Sequence, residues 1–201
     1  MSNELVHGYP PDLTRRRLTQ ATAAVGGLAM AGASAPFLAS LAPSERARAQ
    51  GAPVEASISG VKPGELATFE WRGKPVWVLR RTEDMLKRLA SVADQLADPD
   101  SEVSSQQPKY ARNPTRSRQP ELFVAVGLCT HLGCVPGYQP APGSLQPGWP
   151  GGFYCPCHGS KFDLAGRVYR GSPAPTNLVV PPYSFTTENL IAIGEDETIS
   201  G

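Results

Sequence analysis

Two short stretches, Cys129-Thr130-His131-Leu132-Gly133-Cys134 and Cys155-Pro156-Cys157-His158-Gly159-Ser160, decide how this chain is organised. Together they contain all 4 cysteines and two of the 3 histidines among the 201 residues. Thiolates interleaved with imidazoles are the ligands that zinc and iron-sulfur clusters take in proteins. The two stretches, called loop 1 and loop 2 from here on, therefore predict a metal centre.

The six metal-binding groups of the two loops are more than one four-ligand site needs. The C-x-H of loop 1 and the C-x-x-H of loop 2 would supply two cysteines and two histidines, the ligands of a Rieske 2Fe-2S centre. Cys134 and Cys157 are then left over, and two spare thiols in an oxidising compartment can form a disulfide between the loops. The spacing alone leaves open an all-cysteine cluster and a structural zinc site.

The pair of loops resembles the Rieske iron-sulfur subunit of a quinol:cytochrome c reductase, the cytochrome bc complex, of the bacterial type. The resemblance extends across almost the whole chain. It implies that Cys129 and Cys155 hold one iron of a single Rieske-type 2Fe-2S cluster, and that His131 and His158 hold the other, outer iron. It also makes the zinc alternative much weaker.

Some residues near these ligands match the pattern of this family, and others differ from it. The resemblance implies a disulfide between Cys134 and Cys157, and a hydrogen bond from the Ser160 hydroxyl to a cluster sulfur. Phe162 stands where many members have a tyrosine, so that hydroxyl is missing here. Residues 171–175, Gly-Ser-Pro-Ala-Pro, resemble the family's proline loop with an inserted serine, which leaves the path of the loop open.

The resemblance also implies a function. The chain would take an electron, coupled to a proton, from quinol and pass it to cytochrome c1, with cytochrome b and cytochrome c1 as partners in a dimeric complex. His131 and His158 would be the catalytic residues, with His158 facing the quinol, because a ligating imidazole has a second ring nitrogen that can exchange a proton. Two alternatives stay open: the Rieske small subunit of another periplasmic oxidoreductase, such as arsenite oxidase, and a zinc-stabilised binding module.

The composition argues against two other functional classes. A formal net charge of +1 argues against nucleic acid as a partner. A Rieske oxygenase also needs a mononuclear iron on two histidines and a carboxylate, but only His7 remains once the loop histidines are used. With 21 Pro and 20 Gly, the chain should be rich in loops rather than in helices.

The N-terminal part predicts export and membrane attachment. Residues 1–17 are expected to be a cytoplasmic tail with a twin-arginine signal formed by Arg15 and Arg16. Residues 18–43 are uncharged and long enough to cross a bilayer core of about 30 Å. Ala47-Arg48-Ala49 matches a cleavage motif, but the resemblance implies a retained transmembrane anchor. The arginines before this anchor place the head on the periplasmic side of the bacterial inner membrane.

The remainder predicts a linker and a mainly β head. Residues 44–53 are small and polar, and in the resembled family this stretch is the hinge on which the head swings. Residues 54–201 are expected to form a Rieske-type antiparallel β-sandwich head with an inserted cluster-binding subdomain at about 125–175. Strands are expected at 54–59, 66–71, 75–80, 121–128, 152–154, 161–163, 167–170, 183–186 and 190–193. Two hairpins are expected among them, one around Arg72-Gly73-Lys74 and one across Ala165-Gly166, and Trp71, Trp77 and Leu79 are expected in the core.

Between these strands the sequence predicts one helix and one long surface segment. Thr82 is expected to cap a helix, and its apolar face is expected to hold Met85, Leu86, Leu89, Ala93 and Leu96. Residues 98–120 are polar, contain four prolines and show no periodicity, which predicts an excursion over the surface. Four basic residues of this excursion are expected to lie in solvent: Lys109, Arg112, Arg116 and Arg118.

Overall fold

The computed structural model describes residues 12–42, 44 and 51–196. These residues form two units, divided between residues 48 and 49. Most of the predicted cytoplasmic tail with His7, most of the predicted hinge, the cleavage motif at residues 47–49 and the last five residues lie outside the described residues.

The first unit is one long helix, α1, over Leu13–Ser40. Asp12 caps it by accepting hydrogen bonds from the backbone N–H groups of Thr14 and Arg15 at 3.0 and 3.2 Å. The helix therefore begins before the predicted anchor and includes the three arginines. Its 28 residues extend about 42 Å, and it is the one described helix long and apolar enough to cross a membrane.

The second unit, the head, is built from three antiparallel sheets of three strands each. The strands are β1 Val54–Ser57, β2 Leu66–Trp71, β3 Lys74–Arg80, β4 Leu122–Val126, β5 Gly137–Gln139, β6 Gly152–Tyr154, β7 Lys161–Phe162, β8 Tyr183–Thr187 and β9 Leu190–Ile193. One sheet has the order β1-β9-β8, the next β2-β3-β4, and the third β5-β6-β7. The predicted mainly β, antiparallel head is confirmed, although β5 was not expected in its Pro/Gly-rich loop.

The predicted β2–β3 hairpin is present and turns tightly. Arg72 and Gly73 both have positive φ, at 53° and 67°, as a two-residue hairpin turn requires. Trp71, Trp77 and Leu79 from its two strands are buried, as predicted. The predicted hairpin after loop 2 is shorter than expected, because its two arms are joined by a single β-bridge, between Phe162 and Val168.

The predicted helix is also shorter than expected. Helix α2 spans Glu83–Ala90, and the Thr82 hydroxyl caps it by accepting a hydrogen bond from the backbone N–H of Met85 at 3.2 Å. The backbone leaves helical geometry at Val92, where φ is −117°. Leu96 is fully buried, but it is bridged to Tyr169 rather than lying on the helix.

The prediction that residues 98–120 form a solvated surface excursion was wrong in part. Lys109 and Arg112 are exposed, but Arg116 is completely buried and the Arg118 guanidinium stacks 3.6 Å from the centroid of the Tyr110 ring. Irregular backbone can be buried when polar side chains satisfy its hydrogen bonds. Polar side chains satisfy the buried backbone of this segment, so the lack of a periodic apolar pattern did not mean that the whole segment is exposed to solvent.

Strands β4 and β6 carry the chain into the two loops from neighbouring sheets. The rings of Phe153 in β6 and Trp77 in β3 stack with their centroids 4.9 Å apart, and Phe123 in β4 lies 6.3 Å from Phe153. All three side chains are buried. This aromatic layer joins the two sheets directly below the loops and fixes the strand ends from which they emerge.

Candidate metal centre

Loops 1 and 2 close with the same backbone pattern. In each, the N–H of the first cysteine donates to the carbonyl of the sixth residue, Cys134 at 2.7 Å or Ser160 at 2.8 Å. In each, the N–H of the fifth residue donates to the carbonyl of the first cysteine at 2.9 Å. That fifth residue is Gly133 or Gly159, with φ of 82° or 81°. Glycine suits this position because other residues are strained at such φ values.

The two loops bring the cysteines Cys129 and Cys155 together as free, buried thiols. Burial raises the pKa of the Cys155 thiol, and the hydrogen-bonded Cys129 raises it further, although the backbone N–H of Cys157 acts in the opposite direction. Two adjacent thiols in an apolar interior deprotonate only if a cation compensates their charge. The pair is therefore suited to a metal.

The two histidines also meet at this end of the head. The imidazole rings of His131 and His158 lie edge to face, with centroids 4.8 Å apart and an interplanar angle of 88°. The Nδ1 atom of His131 is buried and has no hydrogen-bond partner among the described residues. A buried polar atom without a partner is rare and calls for an explanation such as an ion. His158, in contrast, is exposed.

A disulfide between Cys134 and Cys157 ties the two loops together, as the resemblance implies. The sulfurs of Cys134, Cys155 and Cys157 lie within 4.8 Å of one another, which on distance alone would suit a metal. Two of these sulfurs are bonded to each other and cannot act as thiolate ligands. The donors that remain are two thiols and two imidazoles, which is the Rieske ligand set.

The proline loop packs against loop 2 and the start of β7 through two hydroxyl groups. The Ser160 hydroxyl is fully buried and accepts a hydrogen bond from the backbone N–H of Ala174 at 3.0 Å. The Ser172 hydroxyl accepts one from the backbone N–H of Lys161 at 3.2 Å. Ser172 therefore attaches the proline loop to the start of β7, directly after loop 2. Because the Ser160 oxygen accepts from Ala174, its own proton stays available to donate.

A side-chain hydroxyl also attaches loop 1 to its surroundings. The Thr130 hydroxyl donates to the Thr176 carbonyl at 2.7 Å, and the Thr176 hydroxyl donates to the Gln106 side chain at 3.3 Å. The excursion at residues 98–120 is thereby connected to loop 1 through Thr176, the residue directly after the proline loop. Sequence reasoning missed both threonines, because nothing in their spacing distinguishes them from ordinary loop residues.

Comparison with known proteins agrees with this geometry. Residues 52–184 match the Rieske [2Fe-2S] domain. A ubiquinol-cytochrome c reductase iron-sulfur subunit of Allochromatium vinosum is 55% identical over 186 residues, which are 92% of this chain and 89% of that protein. One of Blastochloris viridis is 41% identical, covering 91% of this chain and 94% of that protein.

Two further matches come from a mitochondrial protein and from a solved structure. The mitochondrial Rieske subunit of the cytochrome b-c1 complex of Solanum tuberosum is 44% identical over 144 residues, which are 71% of this chain and 47% of that protein. A solved chain titled hyperthermophilic respiratory Complex III matches with a TM-score of 0.45 and 24% identity, covering 86% of this chain and 98% of that chain.

The fold and the donor set define a Rieske iron-sulfur protein. The chain belongs to the Rieske [2Fe-2S] family and, within it, to the iron-sulfur subunits of ubiquinol-cytochrome c reductases. Its cofactor is one 2Fe-2S cluster, and two buried thiols, a buried unpartnered imidazole nitrogen and an exposed second imidazole fit that group.

Proposed function

We propose that this chain is the electron-transfer subunit of a cytochrome bc complex, taking an electron together with a proton from quinol and passing the electron to cytochrome c1. The observation that carries the proposal is the 55% identity, over 92% of this chain, to a ubiquinol-cytochrome c reductase iron-sulfur subunit. A Rieske subunit of a different oxidoreductase, such as arsenite oxidase, is the alternative against which it must be tested.

Cys129 and Cys155 hold the inner iron of the cluster in this proposal, and His131 and His158 hold the outer one. The difference in burial supports the assignment, since both thiols are buried and His158 reaches the surface. The bound cluster supplies one-electron chemistry, at a potential raised by neutral imidazoles in place of thiolates. The histidines connect that chemistry to the outside of the head.

His158 is the residue that meets the quinol. One nitrogen of its ring binds the outer iron, and the other is free to accept a hydrogen bond from a quinol hydroxyl and then hold its proton. Its ring contacts that of His131 in loop 1, and Leu132 and Val135, which follow His131 in the chain, are 71% and 55% exposed, so this end of the head also presents uncovered apolar side chains. Such a tip is suited to docking in an apolar pocket of cytochrome b.

Helix α1 anchors the subunit in the membrane as a single span. None of its apolar side chains is buried within the unit that it forms, and its charged residues are confined to its first turns. Arg15 and Arg16 serve as a twin-arginine signal, the N-terminus is cytoplasmic and the head is periplasmic. The assembled complex is a dimer that contains cytochrome b and cytochrome c1.

Purification of the full chain from membranes tests this function. We expect b-type and c-type haem to co-purify with it, together with inhibitor-sensitive quinol:cytochrome c reductase activity. An Arg112→Ala variant serves as a control for His158→Ala, since Arg112 is also exposed but lies outside both cluster loops. Purification with neither haem, or reductase activity that survives in His158→Ala, would contradict the proposal.

A further inference from the structure

The head contains an unusual group of buried charges around the turn at residues 163–167, which follows loop 2 and β7. Three arginines, Arg81, Arg116 and Arg167, are only 2%, 0% and 2% exposed. Asp163, 1% exposed, is the only buried carboxylate among the described residues. Burying an ionised side chain is costly in free energy unless an opposite charge or several hydrogen bonds compensate it. The partners of each arginine therefore decide how its charge is stabilised.

Arg167 and Asp163 compensate each other. The Arg167 Nη2 and Nε atoms lie 2.7 and 2.8 Å from Oδ2 of Asp163. The other carboxylate oxygen, Oδ1, accepts hydrogen bonds from the backbone N–H groups of Ala165 and Arg167 at 2.9 and 2.8 Å. The Asp163 carboxylate is thus committed to Arg167 and to the turn on which both residues lie.

Arg81 has no such partner. Its guanidinium donates to the carbonyls of Thr115 and Leu164 at 2.9 and 3.3 Å, and to the Ser117 hydroxyl at 2.9 Å. It forms no ion pair with a described carboxylate, and its Nε atom is buried without a hydrogen-bond partner. Carbonyl dipoles stabilise this charge, but they do not neutralise it.

Arg116 is held by the same kinds of hydrogen bond as Arg81. It donates to the carbonyls of Ala165 and Gly166 at 3.3 and 3.4 Å, and to the side-chain oxygen of Gln107 at 2.9 Å. Its Nε atom is also buried and unpartnered. Between them, Arg81 and Arg116 hold three successive carbonyls of the turn that follows loop 2. Gly166 has φ of 68°, and a Cβ there would come within 2.8 Å of the Phe123 ring.

Both of these arginines remain charged at neutral pH. Desolvation by burial lowers the pKa of each to about 10, and carboxylates oppose the change: Asp163 for both arginines, with Glu121 for Arg81 and Asp98 for Arg116. Three positive charges are therefore enclosed with one negative charge. This excess is a property of the tertiary structure, since the net charge of the whole chain is only +1.

An apolar layer separates this excess charge from the cluster loops. The Arg81 guanidinium lies 5.3 Å from the centroid of Phe123, whose ring lies 6.3 Å from that of Phe153. Phe153 pairs with Phe162 across β6 and β7, and Cys155 follows two residues later. Fields are weakly screened through such a medium, where neither water nor salt enters.

We propose that Arg81 and Arg116 raise the reduction potential of the cluster through buried positive charge that forms no ion pair with a described carboxylate. Reduction adds one negative charge to the cluster, so a fixed positive charge nearby stabilises the reduced state more than the oxidised state. The same two side chains position the turn after loop 2. The proposal requires a cluster in the head but no particular electron donor or acceptor, so its failure would leave the proposed function untouched.

An EPR-monitored redox titration of the full chain in its membrane complex tests the proposal. We expect Arg116→Met and Arg81→Met each to make reduction several-fold less favourable; a tenfold change corresponds to about 59 mV for one electron. Arg112→Met is the matched control, because Arg112 lies in the same segment with 56% of its side chain exposed. An unchanged potential in a methionine variant with a normal cluster signal would overturn the proposal.

Two further variants separate charge from packing. Arg116→Lys keeps the charge and should leave the potential near that of the control, whereas a fall as large as that of Arg116→Met would overturn the proposal. Asp163→Asn removes the buried negative charge and should raise the potential. A rise in potential, opposite to the fall expected of the methionine variants, is not an expected result of structural damage. An unchanged or lowered potential in Asp163→Asn therefore overturns the proposal, even if the methionine variants assemble no cluster.

Discussion

Loop 1 and loop 2 close with the same pair of backbone hydrogen bonds and place a glycine of nearly equal φ at the fifth position, yet their side chains have different surroundings. His131 of loop 1 has a buried, unpartnered nitrogen, whereas His158 of loop 2 is exposed. Only loop 2 has a buried hydroxyl at its sixth position, Ser160, bound to the proline loop. A repeated backbone can therefore supply equivalent ligands while the surroundings give each loop a separate role.

The largest expected effect tests whether the loops are equivalent as ligand donors. His131→Ala and His158→Ala should each abolish the Rieske EPR signal of the membrane complex, because either change removes a ligand of the outer iron. Cys129→Ala and Cys155→Ala should do the same for the inner iron. A normal signal in any one of the four would contradict the ligand assignment, and Leu132→Ala, in loop 1 itself, should leave the signal intact.

The disulfide is expected to matter less than the ligands. The two bridged cysteines are separated by 23 positions in the sequence, and a cross-link of this length adds roughly 3 kcal/mol to the free energy of unfolding in the chain-entropy model. The contribution is smaller here, because the cluster also ties the two loops. A variant with both Cys134→Ala and Cys157→Ala should therefore assemble some cluster, lose it faster on warming and titrate at a lower potential. Free thiols at both positions in the exported native protein, detected by alkylation and mass spectrometry, would count against the bridge.

The hydroxyl contacts of the two loops should have unequal effects on the potential. Ser160→Ala removes a buried hydroxyl whose proton is free to donate towards the cluster, and loss of about 1.4 kcal/mol corresponds to about 59 mV. Thr130→Val removes a hydroxyl that already donates to the Thr176 carbonyl, so its effect on the potential should be smaller. Redox titration of both variants checks the order, and equal shifts would show that the loss of loop attachment is responsible.

The smallest expected effect concerns the strand that follows loop 2. Phe162 is fully buried and pairs with Phe153 across β6 and β7, and its ring has no hydroxyl to offer a ligand sulfur. Phe162→Tyr should raise the midpoint potential by tens of millivolts without changing the cluster content, because a hydrogen bond to sulfur stabilises the reduced state. No shift, or a fall, would mean that this ring does not approach a ligand sulfur.

The sequence by itself determined the features that depend on neighbouring residues. Loops 1 and 2 were recognisable because each puts its donors within six consecutive residues. The β2–β3 hairpin was predictable because two strand-like runs flank Arg72-Gly73, and Gly73 readily adopts the positive φ of the turn. The start of helix α2 was predictable because Thr82 can accept a hydrogen bond from Met85, three residues further on.

Only the tertiary structure decided which distant groups meet and which charges are buried. Arg81 binds the Leu164 carbonyl from 83 residues away, and Arg116 binds the Ala165 carbonyl from 49 residues away. Arg116 was predicted to lie in solvent because a basic residue in an aperiodic, proline-rich segment is usually exposed. Its burial depends on carbonyls of a turn far along the chain, and no local pattern encodes hydrogen-bond partners that come together only when the chain folds.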